Sequence, residues 1–508
     1  MSLFAILSPT AATIAFAAAI VNFTHFFQLN SYRAALQFKW MKSNPTKLFG
    51  CIFGIIAFFF PGSLIYILAS AASVVLLFPK KAKKPLVYTM RVRRLLACTA
   101  ALYIIPSVIL YFVHGVYVQK FMAVMYTLSP LVVIAANIIN KPMENAINRR
   151  YINDAKRLLE SSGATVIGIT GSYGKTSVKH YLATLLGAKY NVLMTPGSFN
   201  TPMGVVKTIR SSLSALHDIF ICEMGAKRVG EIKEICDIVH PTHGVITAVG
   251  PQHLETFKSL DNIKKTKFEL ADSLPADGML FLNGNDENIN SYVGSRKNIS
   301  YTLSGKGNYN AEILKLSENG TEFRVTAPGG EKCDFSTRLI GSHNVLNITG
   351  AIAVAHSLGI SLNALKSQVR KLTCVKHRLE LIKRGGDLLI DDAYNSNPSG
   401  TKAALETLSC FDGMKIIVTP GMVELGEKQN ELNREFGKNI AGVCDYCILV
   451  GRRQTESIYA GLNDAGYDEN KIYVASDIND AVSHAYALHS QNRKIILLEN
   501  DLPDNYLN

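Results

Sequence analysis

Acidic residues are nearly missing from the first 150 positions, which hold fifteen Lys/Arg and one acid, Glu144, for a net +14. The other 358 residues hold 38 bases and 39 acids, so the chain's +13 comes from its first part. A nucleic-acid protein keeps its basic surface on the folded domain. Here the positive charge flanks apolar runs, which argues against nucleic acid and for a membrane lipid surface. Paired cysteines are also missing: the nine (51, 98, 222, 236, 333, 374, 410, 444 and 447) are scattered. Cys444-Asp-Tyr-Cys447 is a lone pair with no second pair to complete a zinc site, so it reads as structural core. A reduced, cytosolic catalytic part fits this usage. There is no internal repeat and no long low-complexity stretch. The first apolar run lacks the charged start of a cleaved signal peptide, and further runs follow it.

What the first part does have is four long apolar runs: 3–21, 48–78, 95–118 and 121–139. The first, third and fourth are long enough to span, at about 20 residues for a hydrocarbon core of ~30 Å. The second has 31 residues and is broken at Pro61-Gly62, leaving arms of 13 and 16. At 1.5 Å per residue these reach only about 20–24 Å each. Bases stand on both sides: Arg33, Lys39, Lys42 and Lys47 before the run, and Lys80, Lys81, Lys83, Lys84, Arg91, Arg93 and Arg94 after it. Both flanks are therefore expected in the cytoplasm, with the run returning as a hairpin and the amino terminus outside. The stretch 31–41, with Tyr32, Phe38, Trp40 and bases, suits the headgroup level.

After residue 150 the pattern changes. Gly168-Ile-Thr-Gly171-Ser172-Tyr173-Gly174-Lys175-Thr176-Ser177 follows the apolar run 164–167. A buried strand entering a glycine turn, a lysine and a hydroxyl is the layout of a phosphate-binding loop. Backbone N–H groups curl around phosphate oxygens, Lys175 reaches the β- and γ-phosphates, and Thr176 offers a hydroxyl to Mg²⁺. Ile169 stands where the common eight-residue form has glycine, so this is the tighter Thr-Gly-x-x-Gly-Lys-Thr variant. The chain is expected to handle a nucleoside triphosphate.

Short apolar runs alternate with helix-length segments from there on. Strands are expected at 166–170, 219–223, 244–248 and 279–283, then at 388–391, 415–419, 446–450, 471–475 and 494–498. Such alternation predicts parallel sheets covered by helices in two successive α/β domains, 151–378 and 379–508, after a helical transmembrane domain over 1–150. Glu223 closes one strand, where an acid near a phosphate loop suits Mg²⁺. His253 follows another, although a lone histidine is more often structural.

Taken together these residues resemble the Mur ligase family. The run comprises 171–176, 195–204 with Asn200 and Thr201, Glu223, His253, Lys267-Phe-Glu269, Asn283-Gly-Asn-Asp286, Gly341-Ser-His-Asn344-Val-Leu-Asn347 and Arg378. It ends with Asp391-Asp392-Ala-Tyr394-Asn395-Ser-Asn397-Pro398 and Gly421-Met-Val-Glu424-Leu-Gly426. These last motifs most resemble the branch that adds D-alanyl-D-alanine to UDP-N-acetylmuramoyl-tripeptide. The resemblance covers roughly 160–500 and implies a central P-loop ATPase domain and a Rossmann-like C-terminal domain. It implies an ATP-dependent ligase that activates a muropeptide or other peptide carboxylate as an acyl phosphate and joins it to D-alanyl-D-alanine or an amino acid.

The resemblance also implies roles. Lys175 would hold phosphates, Thr176 and Glu223 a first Mg²⁺, and His253 a second. Lys267 would be carbamylated by CO₂ to give an anionic metal ligand, although its neighbours Lys264 and Lys265 also allow a solvated basic face. Gly171 to Ser177 with Asn283, Asp286, Asn344, Asn347, Arg378 and Asp392 would bind the nucleotide. Asn200, Thr201, Tyr394, Asn395, Asn397 and Glu424 would face the substrates.

Two stretches depart from the family. Membrane-type runs stand where its uridine-binding domain would be, and Leu498-Glu499-Asn500-Asp501 replaces its Lys-Gly-Ser near the end. The leading reading is a ligase of cell-wall precursor synthesis, anchored in the cytoplasmic membrane with its catalytic domains in the cytoplasm. A poly-γ-glutamate-type polymer ligase and a non-catalytic nucleotide-dependent membrane scaffold are the alternatives.

Overall fold

The computed structural model describes residues 3–79, 84–113, 115–291, 297–394 and 396–501. The expected basic residues Lys80, Lys81 and Lys83, and the substrate candidate Asn395, lie outside the described residues. The chain divides into two compact units, with the boundary between Arg150 and Tyr151.

The first unit is helical, with helices Leu3–Leu29, Ala34–Ser43, Phe49–Phe59, Leu64–Leu77, Met90–Val113 and Gly115–Thr127, and the start of Ser129–Ser162. Run 48–78 is a helical hairpin, turned at Pro61-Gly62, where Gly62 has φ +71°. Its arms pack closely because Gly50 lacks a Cβ, which would sit 2.5 Å from Leu77 Cγ. Ser73 Oγ donates to the Gly50 carbonyl at 2.8 Å across the same contact. Large apolar side chains such as Phe59, Leu68, Ile105 and Phe112 stay exposed on the outer faces. Leu3–Leu29 and Met90–Val113 contain stretches long and apolar enough to cross a membrane. The fourth run is not one helix. It breaks at Leu128 into two helices bent by 84°. Pro130 causes the break, since it has no N–H for the helix ladder and restricts the residue before it. Glu144, the one acid of this part, accepts two hydrogen bonds from Arg94 at 2.6 and 2.9 Å.

The second unit holds two sheets. The first comprises β1 (Thr165–Thr170), β2 (Val192–Met194), β3 (Ile219–Glu223), β4 (His243–Ile246), β5 (Leu280–Asn283), β6 (Asn298–Leu303), β7 (Tyr309–Ser317), β8 (Gly320–Thr326) and β9 (Lys332–Thr337). Its order is β2-β3-β1-β4-β5-β6-β7-β8-β9. The second comprises β10 (Glu380–Arg384), β11 (Asp387–Asp392), β12 (Met414–Thr419), β13 (Tyr446–Val450), β14 (Ile472–Ala475) and β15 (Lys494–Glu499), in the order β10-β11-β15-β12-β13-β14.

The expectation of purely parallel sheets needs correction. β7–β8–β9 and the β10–β11 pair are antiparallel. The sequence explains why: Gly320 with φ +131° and Pro328-Gly329-Gly330 turn β7–β8–β9, and Gly385-Gly386, with Gly385 at φ +60°, turns β10 into β11, all too short for a crossover. Phe323, Val325 and Phe335 face the core while Arg324 pairs with Asp334 outside, the alternation of a sheet wet on one face. Elsewhere β3, β1 and β4 run side by side and parallel, so their carboxyl ends lie together. That is where ligands of open α/β sheets bind.

Candidate active site

The turn after β1 is built by two glycines. Gly174 has φ +78° and caps the helix Lys175–Leu186, a conformation that costs a side chain energy. Gly171 lies so close to the end of β4 that a Cβ would sit 2.1 Å from Thr247 Oγ1. Ser172 ties the loop to the next strand's exit, its N–H donating to Ala248 O at 2.7 Å and its Oγ to Gly250 O at 3.0 Å. The Tyr173 ring covers Gly250, and Ser177 lies in the first turn of that helix. Lys175 Nζ folds onto the loop, donating to Gly171 O at 2.6 Å and Ser172 O at 3.3 Å. Desolvation lowers its pKa to about 8, against the pull of Glu223.

Glu223 is buried at the end of β3. Its Oε1 accepts from Thr176 Oγ1 at 3.2 Å and from Asn200 Nδ2 at 3.0 Å. Its Oε2 lies 2.9 Å from the ammonium of Lys179, which is fully buried and also donates to Gly197 O at 2.6 Å. Burial pushes this carboxyl up, but Lys179 and Lys175 outweigh it and hold it down, so it is ionised. An anionic oxygen beside a hydroxyl fits Mg²⁺, a hard cation.

Lys267 is buried on the helix Leu260–Asp272. Burial and the Lys175 charge hold its pKa well below the usual lysine value. Glu269 accepts from the N–H groups of Gly230 and Lys233, capping the helix Glu231–Val239. His253, at φ +54°, directs Nδ1 at a carboxylate oxygen of Glu424, which is itself at φ +63°. Lys227 Nζ reaches the same carboxylate at 3.0 Å. Burial raises the Glu424 pKa, but His253 and Lys227 outweigh it and hold the group at about 2.

Other expected residues are occupied by the scaffold. Asn283 donates to Thr247 O at 2.8 Å and accepts from Asn285 N at 3.0 Å. Asp286 accepts from Val249 N at 2.7 Å and caps a short helix through Asn288 N. Asn344 accepts from Tyr181 Oη at 2.7 Å and donates to Ile340 O at 2.8 Å, whereas Asn347 reaches the phosphate loop at Gly174. Thr201 and Asn397 cap the helices Pro202–Ser212 and Pro398–Ser409.

Arg378 stands between left-handed His377 and Leu379, its guanidinium 4.5 Å from the centre of the Tyr394 ring. Arg378, Tyr394, Thr176, Gly197 and His180 line one cavity of about 520 Å³. Asp392 accepts from Leu379 N at 3.2 Å, and burial lifts its pKa to about 6. It lies beside the buried Glu499, whose pKa burial and Asp392 push well up. Lys179 and Glu499 escaped the sequence reading. A lysine one helical turn after Lys175, inside the apolar pattern of Val178 and Leu182, was a signal for the first. An acid closing β15 in register with Asp392 was one for the second.

A phosphate loop beside a buried carboxylate, with a second α/β domain seated on it through Glu424, defines a nucleotide-dependent enzyme. Residues 169–355 match the Mur ligase middle domain, and 377–499 match the Mur ligase glutamate ligase domain. The chain is 32% identical over 333 residues to the UDP-N-acetylmuramoyl-tripeptide--D-alanyl-D-alanine ligase of Escherichia coli (strain K12), covering 63% of this chain and 73% of that one. It is 33% identical over 290 residues to the Bacillus subtilis (strain 168) enzyme of that name, covering 56% and 62%. The structure of MurF from Acinetobacter baumannii superposes with a TM-score of 0.64 at 26% identity, covering 70% of this chain and 77% of that one. MurF ligase from Thermotoga maritima in complex with ADP gives 0.62 at 25%, covering 70% and 80%. The chain belongs to the Mur ligase family, ATP-dependent ligases that form a C–N bond.

Proposed function

We propose that this chain joins D-alanyl-D-alanine to the peptide carboxylate of UDP-N-acetylmuramoyl-tripeptide in cell-wall precursor synthesis, with 151–378 and 379–508 as its catalytic domains. The observation that carries this reading is the grouping of Lys175, Thr176 and ionised Glu223 at the carboxyl ends of β1 and β3, in a chain 32% identical to a ligase of that name. A carboxylate is a poor electrophile at neutral pH. Phosphoryl transfer from ATP makes it an acyl phosphate and releases ADP. The amine then attacks the carbonyl, and the tetrahedral adduct collapses to an amide and phosphate. The protein's task is positioning and charge neutralisation.

Lys175 and Arg378 bind phosphate oxygens, with Asn347 and Asp392 also on the nucleotide. Thr176 and Glu223 hold one Mg²⁺, and His253 with a carbamylated Lys267 hold a second. Bound Mg²⁺ supplies neutralisation of the phosphate charge. Burial supports the Lys267 role, because a lysine of depressed pKa keeps the neutral amine that CO₂ requires. Asn200 and Tyr394 remain the best placed of the substrate candidates.

We place the first unit in the cytoplasmic membrane, which its exposed apolar faces support. The same faces favour a second reading, in which the acceptor is itself lipid-linked and tethering raises its effective concentration. The test offers the full-length protein ATP, UDP-linked or lipid-linked tripeptide, and D-alanyl-D-alanine or glutamate, and identifies products by mass. A D-alanyl-D-alanine adduct with equimolar phosphate is expected. A glutamate polymer, or ATP turnover indifferent to any amine, overturns the proposal.

A further inference from the structure

Glu424 is placed by sequence among the substrate contacts, yet its carboxylate is turned to His253 and Lys227. Two residues without glycine's freedom, His253 and Glu424, hold left-handed backbone to make this contact, and such strain persists only where the surroundings enforce it. The backbone repeats the link: Glu255 N donates to Glu424 O at 3.4 Å. Gly426, at φ +62°, brings its loop so near that a Cβ would lie 3.4 Å from Glu255 N. With Nδ1–H given to a carboxylate, the lone pair of the imidazole is at Nε2. That is how a histidine is prepared to bind a metal, because the carboxylate fixes tautomer and ring plane and raises ligand basicity.

We propose that Glu424 is a positioning residue for His253, and that the second α/β domain thereby completes the metal position of the first. This rests on the reading of His253 as a metal-site residue. Glu424 enters with the loop 421–426, so the His253 tautomer is set only while that loop is seated. Phosphoryl transfer is then confined to the closed arrangement, and the amine substrate is not what Glu424 recognises.

The test uses the full-length protein and its Glu424→Ala, Glu424→Gln and His253→Ala variants. Mn²⁺ binding is followed by electron paramagnetic resonance with a non-hydrolysable ATP analogue, alongside kcat, the KM for amine and the Mg²⁺ requirement. In Glu424→Ala the weaker Mn²⁺ site should lose about tenfold or more in affinity, with the Mg²⁺ requirement rising in step and the KM for amine within about twofold. Glu424→Gln, whose amide oxygen still accepts from Nδ1–H, should recover most of the loss, and it carries the test if the alanine variant does not fold. A raised KM for amine with Mn²⁺ binding unchanged overturns the proposal and returns Glu424 to the substrate face. Unchanged Mn²⁺ binding in His253→Ala instead overturns the reading of His253, whatever Glu424 does.

Discussion

Replacing Lys179 with methionine removes a fully buried ammonium and keeps the side chain's length. In the wild type that ammonium lies 2.9 Å from Glu223 Oε2 and donates to Gly197 O at 2.6 Å. Removing one partner of a buried pair leaves the other charge uncompensated and typically costs about 3–5 kcal/mol. The domain pair spans roughly 350 residues, and unfolding entropy near 2.1 cal/mol/K per residue turns that loss into a drop of about 4–7 °C in Tm. Glu223 sets the pH dependence. Without Lys179 the burial that already pushes its carboxyl upward is less opposed, so the folded state takes up a proton that the unfolded chain releases. The mutant's stability deficit should therefore grow as pH rises through the carboxylate range and shrink in acid. Thermal melts at pH 5 and pH 8 measure both effects. A double-mutant cycle with Glu223→Gln measures the coupling, since removing both charges should recover a large part of the loss. A single mutant as stable as wild type at pH 8, or losses that merely add, would refute the buried-pair account.

The metal and membrane assignments carry their own tests. Lys175→Ala and Glu223→Ala should each lower turnover by about 10²–10³ while melting cooperatively, and near-normal turnover in either removes it from the charge-stabilising set. Lys267→Ala should be inactive and regain part of its rate with a small added carboxylic acid, whereas full activity without the acid would place Lys267 outside the site. Glu499→Gln should stabilise the fold above pH 6 and change little at pH 4. Burial and the charge of Asp392 keep a proton on Glu499 that the unfolded chain releases above the ordinary carboxylate value, so the penalty grows as pH rises. An amide at 499 carries no such cost, and identical stability–pH curves would contradict a shared proton. A chain truncated before Tyr151 that ligates UDP-linked tripeptide as fast as the full-length protein would exclude a lipid-linked acceptor.

Local signals in the sequence were the readable ones. The phosphate loop lies within ten consecutive residues, and β1, β3, β12 and β13 are apolar runs bounded by turn residues. β6 to β9 were overlooked because half of each strand is polar, so residues 298–337 lack the solid apolar runs of buried strands. The turns at Gly320 and Gly329-Gly330 were the available clue. The run at 121–139 read as continuous because hydropathy does not register the missing N–H of Pro130. In the site, residue type was legible but partnership was not. Nothing near His253 points to a carboxylate 171 positions away, and nothing near Lys179 points to Glu223. Asn283 and Asp286 also make loop-anchoring hydrogen bonds that their motif does not announce, since a motif states which side chains are present and not which neighbour takes their hydrogen bonds.

Charge explains why the second domain brings acids to this site. Lys175, Lys179, Lys267 and Arg378 act on a region where, among the described residues of the first domain, the one fully buried carboxylate, Glu223, is already matched by Lys179. Burial and the Arg378 charge lower Lys175 to about 8, and burial and the Lys175 charge hold Lys267 well below its ordinary value. A polyanion such as ATP relieves that repulsion and raises the phosphate-binding lysine's pKa back toward its ordinary value. Bound metal would add positive charge again, and anionic ligands must then come from elsewhere. Two contributions are at hand: a lysine whose lowered pKa suits conversion to a carbamate, and a second-domain carboxylate that orients His253 as a ligand. Glu424 is kept strongly ionised while Asp392 holds its proton more tightly. The domain thus offers one carboxylate that orients His253 and one whose ionisation responds to what binds beside it.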